Sequence, residues 1–305
     1  MKDASTQALL EHAHALVRRL EQLVSGEAAV PLHFPEAPDA LAYRYRVVKT
    51  LLGERGRLEP VRLLAKIALE DLREIDSQKE RFVRNIRQFV DGLPANNVLL
   101  SGSRGTGKSS LVKASLNAFA DRGLRLIEVD KDHLVDLPDL TACVRMRSER
   151  FVIYCDDLSF DAGEPGYKAL KSVLDGSINA AGDNVLIVAT SNRRHLLPEY
   201  HKDNLDSTYT DEGEMHPSEA VEEKISLSER FGLWISFYPF SQQEYLGIVA
   251  QWLHHFGLPP PQIEAARPHA LVWALERGSR SGRVAWQFAR DYVGHGGQGA
   301  SGPAA

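Results

Sequence analysis

The chain has 305 residues, 36 Lys plus Arg against 41 Asp plus Glu, and a formal net charge of -5. That length can bury a large core, and a weakly acidic balance without a basic stripe gives no support for nucleic acid, a partner left open. No apolar run is long enough to cross a bilayer, and the opening MKDASTQALLEHAHALVRRL alternates polar and apolar positions, so the expected location is the cytoplasm, with no membrane partner.

Two cysteines, Cys143 and Cys155, are too few for a disulfide framework and lack metal-ligand spacing. Both are expected as buried or half-buried thiols. In chain order, Leu9, Ala13, Leu16, Val17, Leu20, Leu23 and Val24 recur at three-and-four spacing and predict a first helix. Residues 31–38 read as a linker. Leu41, Tyr45, Val48 and Leu52 repeat the helical spacing after a cap at Asp39, a third helix can start at Pro60, and a fourth spans Gln78 to Val90. Residues 1–70 therefore read as a helical extension.

From Asn97 the texture becomes short apolar runs separated by helical segments, the pattern of a parallel sheet covered on both faces. Five strands are predicted: Asn97 to Ser101, Leu124 to Asp130, Phe151 to Cys155, Asn184 to Ala189 and Leu233 to Tyr238. They place an α/β, doubly wound domain at 71–240. An acidic stretch, 199–224, holds nine carboxylates against two lysines, and is longer than a connection needs. A flexible surface loop and a partner-docking role are both open for it. Helices return at Gln242 to Phe256, Ile263 to Glu276 and Gly282 to Val293, a small helical domain at 241–293 whose core would take Trp252, Trp273 and Trp286. Residues 294–305, nearly devoid of apolar side chains, are expected to be a disordered tail.

The strongest chemical signal is Gly102-Ser103-Arg104-Gly105-Thr106-Gly107-Lys108-Ser109, which satisfies GxxxxGK[ST] between a strand and a helix beginning near Ser110. Glycines let the backbone wrap around phosphates, so that successive N–H groups and the helix N-terminus meet negative charge. Lys108 would reach the β- and γ-phosphates of ATP and Ser109 would ligate Mg2+. One strand and one helix later, FVIYCDDL ends in Asp156, placed to hold Mg2+ through water, and Asp157, placed to polarise the attacking water. NVLIVATSN delivers Ser191 and Asn192 to the same sheet edge, where a polar group can orient that water, a plain turn residue being the alternative. Arg230 and Arg283 are candidates to balance charge on a transferred phosphoryl group, with Arg193, Arg194 and Arg280 as competitors.

In this order the motifs resemble the AAA+ superfamily: GSRGTGKS is similar to its Walker A, YCDD to Walker B, TSN to sensor 1, SERF to the arginine finger and SGR to sensor 2. The resemblance implies a P-loop NTPase with a five-stranded parallel sheet, a helical N-terminal extension and a small C-terminal helical lid. It further implies ATP and Mg2+ as ligands, and a homo-oligomer in which Arg230 acts in trans. PANNVLLSGSRGTGKSSLVKA, ATSNRRHLLPE, SERFGLWISFYPF and RGSRSGR are similar to a bacterial AAA+ family of uncharacterised ATPases, over about Leu41 to Tyr292. By the same resemblance, Ile75 falls where such proteins contact adenine.

Two departures matter. Walker B here ends in Asp-Asp, and the shorter Asp157 lengthens the path to water, so slow hydrolysis is expected. IEVDKDHLVDLPD lacks the aromatic-apolar-Gly element of polypeptide-threading unfoldases, which disfavours processive threading. The reading is a slow Mg2+-dependent ATPase acting on an unknown client. A nucleotide-gated binding module is the alternative, and a P-loop small-molecule kinase fits the first motif but not the helical C-terminal part.

Overall fold

The computed structural model describes residues 14, 17, 32–37, 39–50, 53–160, 164–175, 183–192, 208–209, 215–216 and 229–296. The acidic stretch, the end of the chain and most of the first predicted helix lie outside the described residues, as do Arg193 and Arg194. Nine strands are described: β1 (Ala42–Thr50), β2 (Gly53–Pro60), β3 (Val98–Gly102), β4 (Leu124–Glu128), β5 (Arg150–Cys155), β6 (Val185–Ser191), β7 (Thr208–Tyr209), β8 (Met215–His216) and β9 (Leu233–Phe237). Seven helices accompany them: α1 (Asp76–Val90), α2 (Lys108–Phe119), α3 (Leu137–Val144), α4 (Pro165–Leu174), α5 (Gln242–His255), α6 (Pro260–Glu276) and α7 (Gly282–Gly294).

The main sheet has the order β2-β1-β4-β5-β6-β3-β9. Its five predicted strands are present and pair in parallel. The sheet nevertheless has seven strands, because β1 adds parallel to β4 and β2 adds antiparallel to β1. The helical reading of Leu41 to Leu52 is thus corrected. In AYRYRVVKT, Tyr43 and Tyr45 are buried while Arg44 and Arg46 are exposed, a period of two that outweighs the coincident helical spacing of Tyr45 and Val48. The helix predicted from Pro60 is also absent: residues 61–68 run without regular structure to a single 3-10 turn at Leu69–Asp71. Asn117 of α2 donates to Ala65 O and Ile67 O, holding this stretch against the domain in place of a helical ladder.

Alternation along the strands divides the interior in two. Val98, Leu100, Val152, Tyr154, Leu186, Val188, Ile235 and Phe237 join α1, α2 and the C-terminal helices on one face. Leu99, Ile153, Cys155, Ile187 and Ala189 join α3 and α4 on the other. With both faces covered, the middle of each strand is apolar, which is why residues 151–153 of β5 and 185–189 of β6 read as continuous hydrophobic runs. Cys155 is buried and Cys143 half-buried, as expected.

The C-terminal helices begin where the sequence marks them. Ser241 accepts from Glu244 N while Glu244 reaches back to Ser241 N, a reciprocal cap that starts α5. Trp252 and Trp286 meet with ring centroids 4.5 Å apart, and Trp273 packs edge-on to Phe288 at 6.0 Å. Among the described residues no helix is long and apolar enough to cross a membrane.

Candidate functional site

Strand β3 ends at Gly102 and α2 starts at Lys108, so residues 103–107 form a loop at the C-terminal edge of the sheet. Gly102 has φ +124°, and a Cβ there would lie 1.9 Å from Phe237 O of β9. Only glycine fits. A Cβ on Gly105 would meet Ser281 Oγ at 2.8 Å, because the start of α7 docks on the loop: Gly282 N donates to Gly105 O at 2.8 Å. Thr106 Oγ1 donates to Ser103 O at 2.8 Å and Ser103 N to Phe237 O at 3.2 Å, which tie the loop to itself and to β9. Ser109 and Ser110 lie in the first turn of α2, whose N–H groups have no carbonyl one turn back and are left for an anion.

Lys108 is only 5% exposed. Its Nζ donates to Gly102 O and Ser103 O, each at 2.7 Å, and to Asn192 Oδ1 at 3.2 Å. Burial pulls its pKa down to about 8, although Asp157 and Asp156 act in the opposite sense. Asn192 uses its other end too: Nδ2 donates to Asp157 Oδ1. The second oxygen of Asp157 lies 3.9 Å from the Arg104 guanidinium. Asp157 has φ +52°, a left-handed conformation that non-glycine residues adopt at a cost of about 1–2 kcal/mol. Lys108, Asn192, Asp157 and Arg104 thus form one connected network across three elements of the sheet edge.

Asp156 belongs to a second network. Its Oδ1 accepts from Ser109 Oγ at 2.8 Å, Tyr154 Oη at 2.7 Å and Thr190 Oγ1 at 2.6 Å. Burial alone would raise its pKa, but these three hydroxyls hold it below the ordinary carboxylate value. Burial pushes the Tyr154 phenol up, so it stays a donor. Thr190 Oγ1 also accepts from Asp157 N at 2.9 Å.

Ile75, at the start of α1, is buried, and its Cδ1 would stand 3.4 Å from a Cβ on Gly107. Arg283 opens α7 with its Cβ 3.5 Å from where a Cβ on Gly105 would stand. Both therefore border the loop. Arg230 is set differently, forming an ion pair with Asp175 at the C-cap of α4. The structure brings together Gly102 to Ser110, Ile75, Asp156, Asp157, Asn192 and Arg283, while Arg230 pairs with Asp175. Sequence reasoning did not single out Tyr154, Thr190, Ser281 or the pairing of Arg104 with Asp157. Thr190 and Tyr154 carried a faint signal as polar members of otherwise apolar strands.

These groups suit a nucleotide with its cation. The first N–H groups of α2 are placed to face phosphates, and the buried Lys108 ammonium would gain a charged partner from them. Ser109 Oγ and the Asp156 carboxylate are hard oxygen donors of the kind Mg2+ takes. Among the described residues no cluster of three His, Cys, Asp or Glu side chains could hold a metal by itself.

A glycine-rich loop between the first core strand and its helix, acids on the strand two places along, a polar strand end between them and C-terminal helices docked on the loop are the arrangement of an α/β P-loop NTPase fold. In agreement, the fold is similar to that of a RuvB point mutant from Thermotoga maritima (TM-score 0.50, 16% identity, 78% of this chain and 69% of that one). Likenesses of lower score are to a DNA replication initiation factor (0.48, 17%, 78% and 67%) and to the HORMA:CdnC:Trip13 complex of E. coli MS115-1 (0.48, 13%, 73% and 90%). No curated protein matches. Residues 39–296 match the family described as "Protein of unknown function (DUF815)", and the chain belongs to that family.

Proposed function

We propose that this protein binds ATP with Mg2+ at Gly102 to Ser110 and hydrolyses it slowly in the cytoplasm, coupling the cycle to a conformational change that acts on a macromolecular client. In this reading residues 71–240 bind the nucleotide and 241–293 form the lid. The observation that carries it is the network joining Lys108, Asn192 and Asp157 at the rim of a loop that only glycine can build.

Lys108 would exchange its two loop carbonyls for phosphate oxygens, a stronger charge-assisted pairing. Ile75 would pack against the base, and Arg283 would supply positive charge from the lid side. Asn192 and Asp157 would orient a water in line with the γ-phosphorus: its oxygen bonds to phosphorus as the β–γ bridge breaks, and its proton leaves towards Asp157. Mg2+, held by Ser109 and through water by Asp156, would neutralise charge on the phosphates. Slow turnover fits a carboxylate one methylene shorter than glutamate and already engaged by Asn192 and Arg104. Arg230, paired with Asp175 in its own subunit, would act on the nucleotide of a neighbouring copy.

The same engagement of both Asp157 oxygens favours a second reading, in which nucleotide selects a conformation and little is hydrolysed. ATP turnover measured over a range of protein concentrations separates the two. Turnover per subunit that climbs with concentration and disappears in Asp157→Asn and Arg230→Ala supports the assembled ATPase. ATP binding without turnover at any concentration supports the gated module.

A further inference from the structure

We infer that Tyr154 and Thr190 are positioning residues for the cation: they engage Oδ1 of Asp156 and leave Oδ2 as the oxygen offered to metal-bound water. The inference rests on the ATP and Mg2+ reading above and goes further, by assigning work to two side chains of the core strands. Three hydroxyls from three elements meet at Oδ1, and among the described residues Oδ2 accepts no hydrogen bond.

Asp156 stands at a strand end where solvent reaches part of it, so water could serve much of its carboxylate; it nevertheless takes a donor from Tyr154, which is only 1% exposed. Tyr154 belongs to the buried apolar cluster of this face of the sheet, paired with Val188 on β6, and phenylalanine would fill the same apolar space. Its hydroxyl donates to Asp156 Oδ1 at 2.7 Å, with the Ser109 and Thr190 hydroxyls beside it. The arrangement trades a simple apolar core for a fixed carboxylate.

Thr190 completes the device from the next strand. The parallel register pairs Tyr154 with Val188 and Cys155 with Ala189, which brings Thr190 beside Asp156. Its hydroxyl donates to Asp156 Oδ1 and accepts the N–H of Asp157, so one side chain fixes the orientation of the first acid and the backbone of the second. Ser109 spends its proton on the same Oδ1, which leaves its oxygen lone pairs for a cation. Partners of this kind, one shell behind a metal, usually set affinity by a factor of about 10–100.

The test is nucleotide binding by wild type, Tyr154→Phe, Thr190→Val and Thr190→Ser, followed with a fluorescent ATP analogue in EDTA and then titrated with Mg2+. Phenylalanine and valine keep the shape and delete the hydroxyl. Expected are EDTA affinities within about twofold of wild type, and half-saturating Mg2+ raised about 10–100-fold in Tyr154→Phe and Thr190→Val but restored in Thr190→Ser. Unchanged Mg2+ midpoints in both deletion variants would overturn the inference while leaving ATP binding intact. So would equal losses with and without Mg2+, which would mark a purely structural role. A wild-type protein that binds no nucleotide in either buffer would instead overturn the parent reading, and this inference with it.

Discussion

Replacing Lys108 by methionine should reveal what the nucleotide-free protein loses by burying an ammonium. Lys108 is 5% exposed, and desolvation lowers its pKa from 10.5 to about 8. Below about pH 8 the lysine is charged in both folded and unfolded chains, and the burial penalty is fully present. Between about pH 8 and 10.5 the unfolded chain binds more protons than the folded one, so wild-type stability rises with pH. Linkage puts that rise at about 2 kcal/mol between roughly pH 7 and 9.5. Methionine keeps the unbranched length and cannot titrate. It also withdraws a donor from Gly102 O and Ser103 O, so the difference at a single pH mixes opposing effects. The pH dependence isolates the proton, because every other titrating group is common to both proteins. Urea unfolding of nucleotide-free wild type and Lys108→Met at several pH values provides the assay, with equal m-values as the check on comparability. The wild type should gain on the variant as pH rises. Parallel stability profiles would refute a buried, desolvated Lys108.

Three further outcomes follow from the same contacts. Gly102→Ala must place a methyl 1.9 Å from Phe237 O at φ +124°, and should cost about 3 kcal/mol or more in a thermal melt while abolishing ATP binding. Asp157→Asn should retain ATP affinity in a binding titration but lower turnover by about 10²–10⁴-fold, the usual contribution of a general base. Arg230→Ala should cost less than about 1 kcal/mol in stability, since its partner is a half-exposed Asp175, yet lower turnover by about 10³-fold in an assay at high protein concentration.

The glycine-rich loop before α2 was legible because its constraints are local. Gly102, Gly105 and Gly107 all have positive φ, and Lys108 opens the next helix, so seven consecutive positions carry the geometry. The acids and Asn192 were legible for a related reason: an apolar strand in a parallel sheet must end somewhere, and its polar terminus points to the site edge. The β1 and β2 hairpin was not legible, because Leu41, Tyr45, Val48 and Leu52 satisfy a helical period by coincidence. The deciding information is the cross-strand register, such as Tyr45 with Leu58 and Val47 with Gly56. Tyr45 also anchors the hairpin at a distance, through Asp136 at 3.0 Å. Tyr154 and Thr190 were hidden by the same kind of fact. They lie far apart in sequence and meet Asp156 only once β5 and β6 are in register. Arg230 was visible as a residue but not as a contact, since Asp175 is a helix cap with no motif of its own.

Calorimetric titration of ATP with Mg2+ into the wild-type protein and into Lys108→Ala tests the central claim most directly. Saturable binding of about one nucleotide per chain, weakened at least tenfold or lost in the variant, is the result this account predicts, tenfold being about 1.4 kcal/mol for one charge-assisted contact. Absence of binding to the wild type, or equal affinity in both proteins, would contradict it.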